Sequence, residues 1–258
     1  MITKIFFTSY LIRGDTLVLD RWRWIKKELP KTCNGETVLD IGCGSGAFTL
    51  GAALRGYSSL GLSWDKRNQQ VARQRADKCK ISNRAKFEIQ DVRSLQERPD
   101  LAGQFDVCFC CECAEHILDD RSLFVEMAKC LKPGGRLLFT APNFHYNAIS
   151  TEDLGPFSRE ETGWHVRRGY SPAMLRELCR LAGFEVERID QCSGFFTQKV
   201  TGVLRFFQRK VGLLGWFLVF PLRVFALLDW VPWKWMGWPN YSICLVVVKP
   251  RWERPFVQ

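Results

Sequence analysis

The nine residues Val38-Leu39-Asp40-Ile41-Gly42-Cys43-Gly44-Ser45-Gly46 constrain this chain more than any other stretch. An apolar run ends in an acid and passes into three glycines at every second position. That is the pattern of a buried parallel strand feeding a tight turn, with a helix behind it. Glycine permits backbone angles closed to other residues and lets the main chain come close to a ligand. Two ligand classes compete for such a turn. Gly42-x-Gly44-x-x-Ala47 also satisfies a loose dinucleotide fingerprint. Asp40 argues against it, because a carboxylate beside the turn repels a pyrophosphate and suits a cationic ligand.

The rest of the chain reads as a doubly wound α/β domain, with strand and helix patterns in alternation. Helix is expected over 47–54, 65–78, 120–131 and 171–182, and strand over 58–62, 85–90, 105–110, 136–141, 184–190 and 242–249. Asp65 and Ser171 are placed to cap their helices, and Pro172 and Gly183 to start and stop the last one. Lys132-Pro133-Gly134-Gly135 reads as a turn, and 142–170 as irregular. A length of 258 residues accommodates one such domain with an elaboration. Cys108, Cys110, Cys111 and Cys113 crowd one strand and its exit. Successive strand residues face opposite ways, so the four cannot converge on one zinc ion and read as reduced core thiols, which places the chain in the cytoplasm. The first fifteen residues hold too short an apolar run for a secretory signal.

In order, VLDIGCGSG, Asp91 after the third strand, Phe105-Asp106-Val107, Glu115-His116 and LKPGGRLLFTAPN resemble the core of the class I S-adenosylmethionine (SAM) methyltransferases. His165-Val-Arg-Arg-Gly-Tyr-Ser ahead of a helix ending in Ala-Gly-Phe-Glu-Val adds to the likeness, which covers roughly 20–191 and the final strand. The resemblance implies a seven-stranded, mostly parallel sheet with a reversed last strand, and SAM over the carboxyl ends of the first four strands. It implies that Gly42, Cys43, Gly44 and Gly46 hold the methionine end. Asp40 acts through the turn or on the ammonium, Asp91 reaches the adenine amino group with Val92 beside it, and Cys111 contributes backbone. Most members end the second strand in an acid that takes the ribose hydroxyls. Here Ser63 stands there, followed by Trp64, and Asp65 lies two residues on. Ser63 is the expected ribose contact, and Asp65 is the alternative.

Glu112-Cys-Ala-Glu115-His116 places carboxylates and an imidazole at the substrate mouth. Similar E-x-x-E-H sequences occur in ubiquinone-biosynthesis O-methyltransferases and in small-RNA 2′-O-methyltransferases. In the latter, these residues and a later His hold a divalent ion, and His165 stands where that His is expected. Three readings stay open: a metal site of Glu112, Glu115, His116 and His165; His116 or His165 as a plain general base with Glu115 beside it; or structural polar residues. The chain's histidines are 116, 145 and 165, all after the fourth strand.

The second departure is an insertion over 192–241, which divides the chain into a cofactor-binding domain (1–191 and 242–258) and an apolar, Trp-rich appendage. A spanning helix needs about 20 apolar residues. The apolar run 211–222 is shorter and holds Pro221, with Arg223 directly after it. An interfacial amphipathic hairpin or a lid over a lipophilic substrate fits better, and Trp230, Trp233, Trp235 and Trp238 with Lys234 resemble an interface belt. Net charge is +10, with the excess late in the chain. The expected activity is methyl transfer from SAM to a hydroxyl of a lipophilic or membrane-proximal small molecule, with peripheral membrane contact through 204–238. A metal-dependent RNA 2′-O-methyltransferase is the runner-up, weakened by how greasy the basic segment is, and a non-catalytic SAM-binding membrane protein is the third reading.

Overall fold

The computed structural model describes residues 15–32 and 34–251. Residues 1–14 of the N-terminal stretch read for a signal, and Trp252 to Gln258, lie outside the described residues. Seven strands form one sheet: β1 (Thr37–Ile41), β2 (Ser58–Ser63), β3 (Ala85–Ile89), β4 (Phe105–Cys111), β5 (Leu131–Pro142), β6 (Glu185–Cys192) and β7 (Ser242–Val248). Their order is β3-β2-β1-β4-β5-β7-β6. The first five run parallel, and β7 runs antiparallel to both neighbours. The seven-stranded α/β sheet with a reversed last strand is therefore as expected.

The chain leaves β1 for β2 on one side and later returns to place β4 on the other. That reversal opens a crevice at the strands' carboxyl ends. Helices cover both faces. α1 (Thr16–Glu28), α2 (Ala47–Leu54) and α3 (Lys66–Lys78) lie on one; α4 (Asp120–Cys130) and α5 (Pro172–Leu181) lie on the other. Strand alternation divides the core between the faces. Cys108 and Cys110 join Phe124, Met127 and Leu175, whereas Cys111 joins Trp22, Leu50 and Ala72. The four crowded thiols therefore point to opposite faces, and all are free and buried.

Local chemistry sets the helix starts. Asp65 accepts from the Arg67 and Asn68 N–H groups, and Ser171 from Met174 N with Pro172 in the first turn. α1 was not read from the sequence, although Asp15 caps it by accepting from Val18 N at 3.1 Å, and Leu17, Arg21, Trp22, Trp24 and Ile25 are buried. The turn expected at 132–135 is instead drawn into β5. Leu131 pairs with Phe105, the register slips, and Arg136 pairs with Val107. Lys249 O accepts from Gly134 N, Lys249 N donates to Gly135 O, and Lys132 pairs with Asp106 at 2.8 Å. Pairing with neighbours on both sides holds the glycines in the strand as a bulge.

The insertion folds as α6 (Phe195–Val211), α7 (Leu213–Val219), a 3-10 segment (Phe220–Leu228) and α8 (Trp230–Met236). Gly212, at φ +57°, turns α6 into α7, and Gly215 packs against the Phe207 backbone where a Cβ would not fit. No helix among the described residues is long and apolar enough to cross a membrane.

Candidate active site

A cavity of about 430 Å³ opens at the carboxyl ends of β1 to β4 and is closed on one side by residues 161–163. A larger cavity of about 610 Å³ lies between α1, the end of β6 and the insertion, but it holds neither the glycine turn nor a histidine. The smaller cavity is the candidate site, because the turn, the strand ends and His116 meet there.

The turn shapes its floor. Gly42 has φ +73°, and a Cβ there would lie 2.5 Å from Cys113 Sγ. Gly44 has φ +50° and nothing within 4 Å of where its Cβ would be, so its missing side chain leaves ligand space. Gly46, at φ +80°, is pressed against Phe87 and starts α2. Cys43 does not reach the cavity. Its thiol is buried beside Gln69, its N–H donates to Leu62 O and its carbonyl accepts from Gly46 N. Cys111 likewise turns its side chain into the core.

Three acids stand at this end, and each already has partners. Asp40 is buried, accepts from the Thr49 hydroxyl at 2.6 Å, and is pushed up to about 6 by burial, which that hydrogen bond opposes. It braces the turn from behind and does not line the cavity. Asp65 does line it, but spends its carboxylate on the α3 cap and on Asn68 Nδ2 at 2.9 Å. Ser63 lines the wall with Trp64, which is 64 % exposed, and its hydroxyl accepts weakly from Asp65 N at 3.4 Å. Asp91 accepts from Arg93 N and from the Arg93 guanidinium, which holds it below the usual carboxylate range. Arg93 reaches on to Glu161 at 2.9 Å, so it bridges the end of β3 to the irregular loop. Val92 also lines this wall and is buried.

The other end of the cavity differs. Glu112 lines it with φ +52°, a left-handed conformation uncommon for a residue with a side chain. Its carboxylate pairs with Arg21 at 2.7 Å and accepts from Thr140 at 3.1 Å; Arg21 also donates to Ser242. Burial raises the Glu112 carboxyl, and Arg21 opposes that rise. This network was not read from the sequence, and a cap acid at Asp15 with buried positions at helical spacing was its available signal. Glu115 is 1 % exposed, and neither carboxylate oxygen has a hydrogen-bond partner. Burial raises it well above the ordinary range. His116 lines the cavity with Nδ1 also unpartnered. Its ring meets that of His165 edge-on at 4.7 Å. Burial lowers both imidazoles, His165 to about 4 with His116 adding to the shift. His145 stands apart, exposed against Phe144.

The ligand atoms of Glu115, His116 and His165 lie within 4.8 Å of one another. A cation about 2.1 Å from each would want them roughly 3.5 Å apart, a modest contraction. A carboxylate with two neutral imidazoles fits a divalent ion, and the orphaned oxygens supply the motive. Glu112, grouped with them on sequence, is committed to Arg21.

The protein-family model described as a methyltransferase domain matches residues 16–189. The chain belongs to that family, the class I SAM-dependent methyltransferases. The methyltransferase's curated relatives include ubiquinone biosynthesis O-methyltransferases of Marinobacter nauticus (29 % identical; 60 % of this chain, 66 % of the relative) and Pseudomonas paraeruginosa (30 %; 60 % and 67 %). The match to the Acinetobacter baylyi enzyme spans 44 % of that relative, so these alignments span two thirds of their relatives or less. Among solved structures, the [4+2]-cyclase SpnF superposes with a TM-score of 0.63 (22 % identical; 92 % of this chain, 83 % of that one). Geranyl diphosphate C-methyltransferase of Streptomyces coelicolor A3(2) superposes with 0.59 (14 %; 89 % and 79 %). These likenesses show the methyltransferase's fold, and its family assigns SAM as cofactor. The unfilled space over Gly44 fits such a group.

Proposed function

We propose that this methyltransferase transfers the methyl group to an oxygen of a lipophilic small molecule: a quinone precursor, a prenyl or polyketide phenol, or a lipid-linked glycan. What carries the reading is the Glu115–His116–His165 cluster at the cavity's far end, in which both Glu115 oxygens and His116 Nδ1 have no hydrogen-bond partner. Bound over the turn, SAM supplies a sulfonium-activated methyl group. Gly42, Gly44 and Gly46 let the main chain approach its methionine end. Ser63 takes the ribose with Trp64 alongside, and Asp91 and Val92 take the adenine. His116 is neutral at pH 7 and borders the cavity, so it accepts the hydroxyl proton while the acceptor oxygen attacks the methyl carbon in line. Glu115 and His165 stand beside that imidazole, His165 edge-on to its ring. The relatives' names support an oxygen acceptor, and the apolar insertion supports a greasy one reached by contact of 204–238 with a membrane.

A second reading rests on the same orphaned atoms: the cluster holds a divalent cation that acidifies the acceptor hydroxyl. Titration calorimetry with SAM tests the cofactor site, and no heat of binding would sink it. Methyl transfer to detergent-dispersed phenols and diphenols then tests the acceptor class, with and without chelator. Full activity in chelator leaves His116 as a plain base. SAM binding with no transfer to any oxygen acceptor would overturn the O-methylation reading.

A further inference from the structure

We propose that the insertion between β6 and β7 is a docking face for an anionic bilayer surface. The proposal rests on the reading that 204–238 meets a membrane, and adds the chemistry of that surface and the side chains that enter it. Fourteen of the twenty-one large apolar side chains exposed among the described residues lie between Val203 and Met236. Scattered exposed hydrophobics are ordinary; a set this concentrated marks an interaction surface. It runs through consecutive elements, with Phe206 on α6 58 %, Phe217 on α7 66 % and Trp235 on α8 78 % exposed. It is not the unfinished half of the insertion's own core. Val200, Leu204 and Val219 already pack with Phe207 and Trp216 on the inner side, and Gly202 rests on Ile149.

Charge identifies the occupant. Residues 193–241 carry Lys199, Arg205, Arg209, Lys210, Arg223 and Lys234 against a single acid, Asp229. That carboxylate faces inward, accepting from the N–H groups of Gly194, Phe196 and Thr197 at the start of α6. A face so one-sided in charge repels a second copy of itself and attracts anionic headgroups. Lys199 lies 5.0 Å from the Trp238 ring and Arg223 5.6 Å from that of Trp216, pairs suited to the depth where headgroups meet acyl chains. The face is tied to the cofactor-binding domain, because Arg205 pairs with Asp15 at the start of α1.

The test is flotation of the full chain with vesicles of phosphatidylcholine alone, or with about 30 % phosphatidylglycerol, at about 0.15 M salt. Binding is expected on the anionic vesicles only, and F206S/F217S/L218S should cut the bound fraction about tenfold. R209E/K210E should abolish the preference for anionic lipid. Calorimetry with SAM on the same variants should be unchanged, so a failed docking face is separable from a failed cofactor site. No flotation on anionic vesicles, or equal flotation on neutral ones, overturns the proposal. So does a wild-type dimer in sedimentation that the triple variant dissociates, because the occupant is then a second copy.

Discussion

At the cofactor end of the cavity Asp40, Asp65 and Asp91 all have partners, from Thr49, from the α3 main chain and from Arg93. At the acceptor end Glu115 has none, and His116 beside it lacks one on Nδ1. The first end is a finished surface in which backbone turns and caps fix the shape before any ligand arrives. The second carries buried polar atoms whose desolvation is uncompensated, a cost of several kcal/mol for a charged carboxylate. Such a group either keeps its proton or waits for a cation or a hydroxyl. On the proposed function, one end holds and the other reacts.

Removing the unsatisfied pair should break that contrast most severely. Glu115→Gln and His116→Ala should each lower the methyl-transfer rate about 10²- to 10⁴-fold with SAM affinity nearly unchanged. A rate within threefold of wild type for both, about 0.7 kcal/mol, would mean that the acceptor end is merely structural. Next in size, Arg21→Met should leave Glu112 buried and unpaired, costing about 3 kcal/mol of stability, read by urea unfolding. Glu112→Gln in that background should recover part of the loss. Gly42→Ala places a Cβ against Cys113 at a left-handed φ, with a strain of about 1–2 kcal/mol, so SAM affinity should fall roughly tenfold by calorimetry. Gly44→Ala has room for its Cβ but meets the same left-handed strain at φ +50°, so it should cost affinity both by that strain and by entering ligand space.

The smallest effect concerns pH. His165 sits near 4 in the folded chain, whereas an unfolded histidine titrates near 6.5. Its contribution to stability is complete above pH 6.5 and is lost as pH falls from there towards 4. His165→Gln should flatten the acid limb of Tm against pH over that interval, and an unchanged limb would place the acid sensitivity elsewhere.

The fold was legible because its signals are local. The apolar run into Gly42, the Asp65 and Ser171 caps and the β-branched last strand each announce their element without help from distant residues. Lys132–Gly135 misled for the converse reason. Its composition demands a turn, yet β4 on one side and Lys249 on the other pair it into a bulged strand. The site shows the same split. The E-x-x-E-H spacing brought Glu112 and His116 to the cavity wall and buried Glu115 beside them, and His165 meets His116 from the loop. Which carboxylate stays unpaired depended on Arg21, ninety-one positions before Glu112 and on a helix that carried no motif. Cys43 and Cys111 send their side chains into the core, so any contact they make with a ligand is left to their main chain.

The insertion leaves the sheet at Cys192 and re-enters at Ser242, and these two residues sit opposite each other in the β6–β7 ladder. Its ends are already held together by the sheet, so the excursion is a closed loop whose length costs the domain little: each doubling adds only about 0.6 kcal/mol of closure entropy. A chain built this way can lengthen, shorten or exchange the segment without re-registering a single strand. The part that meets the outside world can therefore diverge at its own pace, over a sheet that does not have to answer for it.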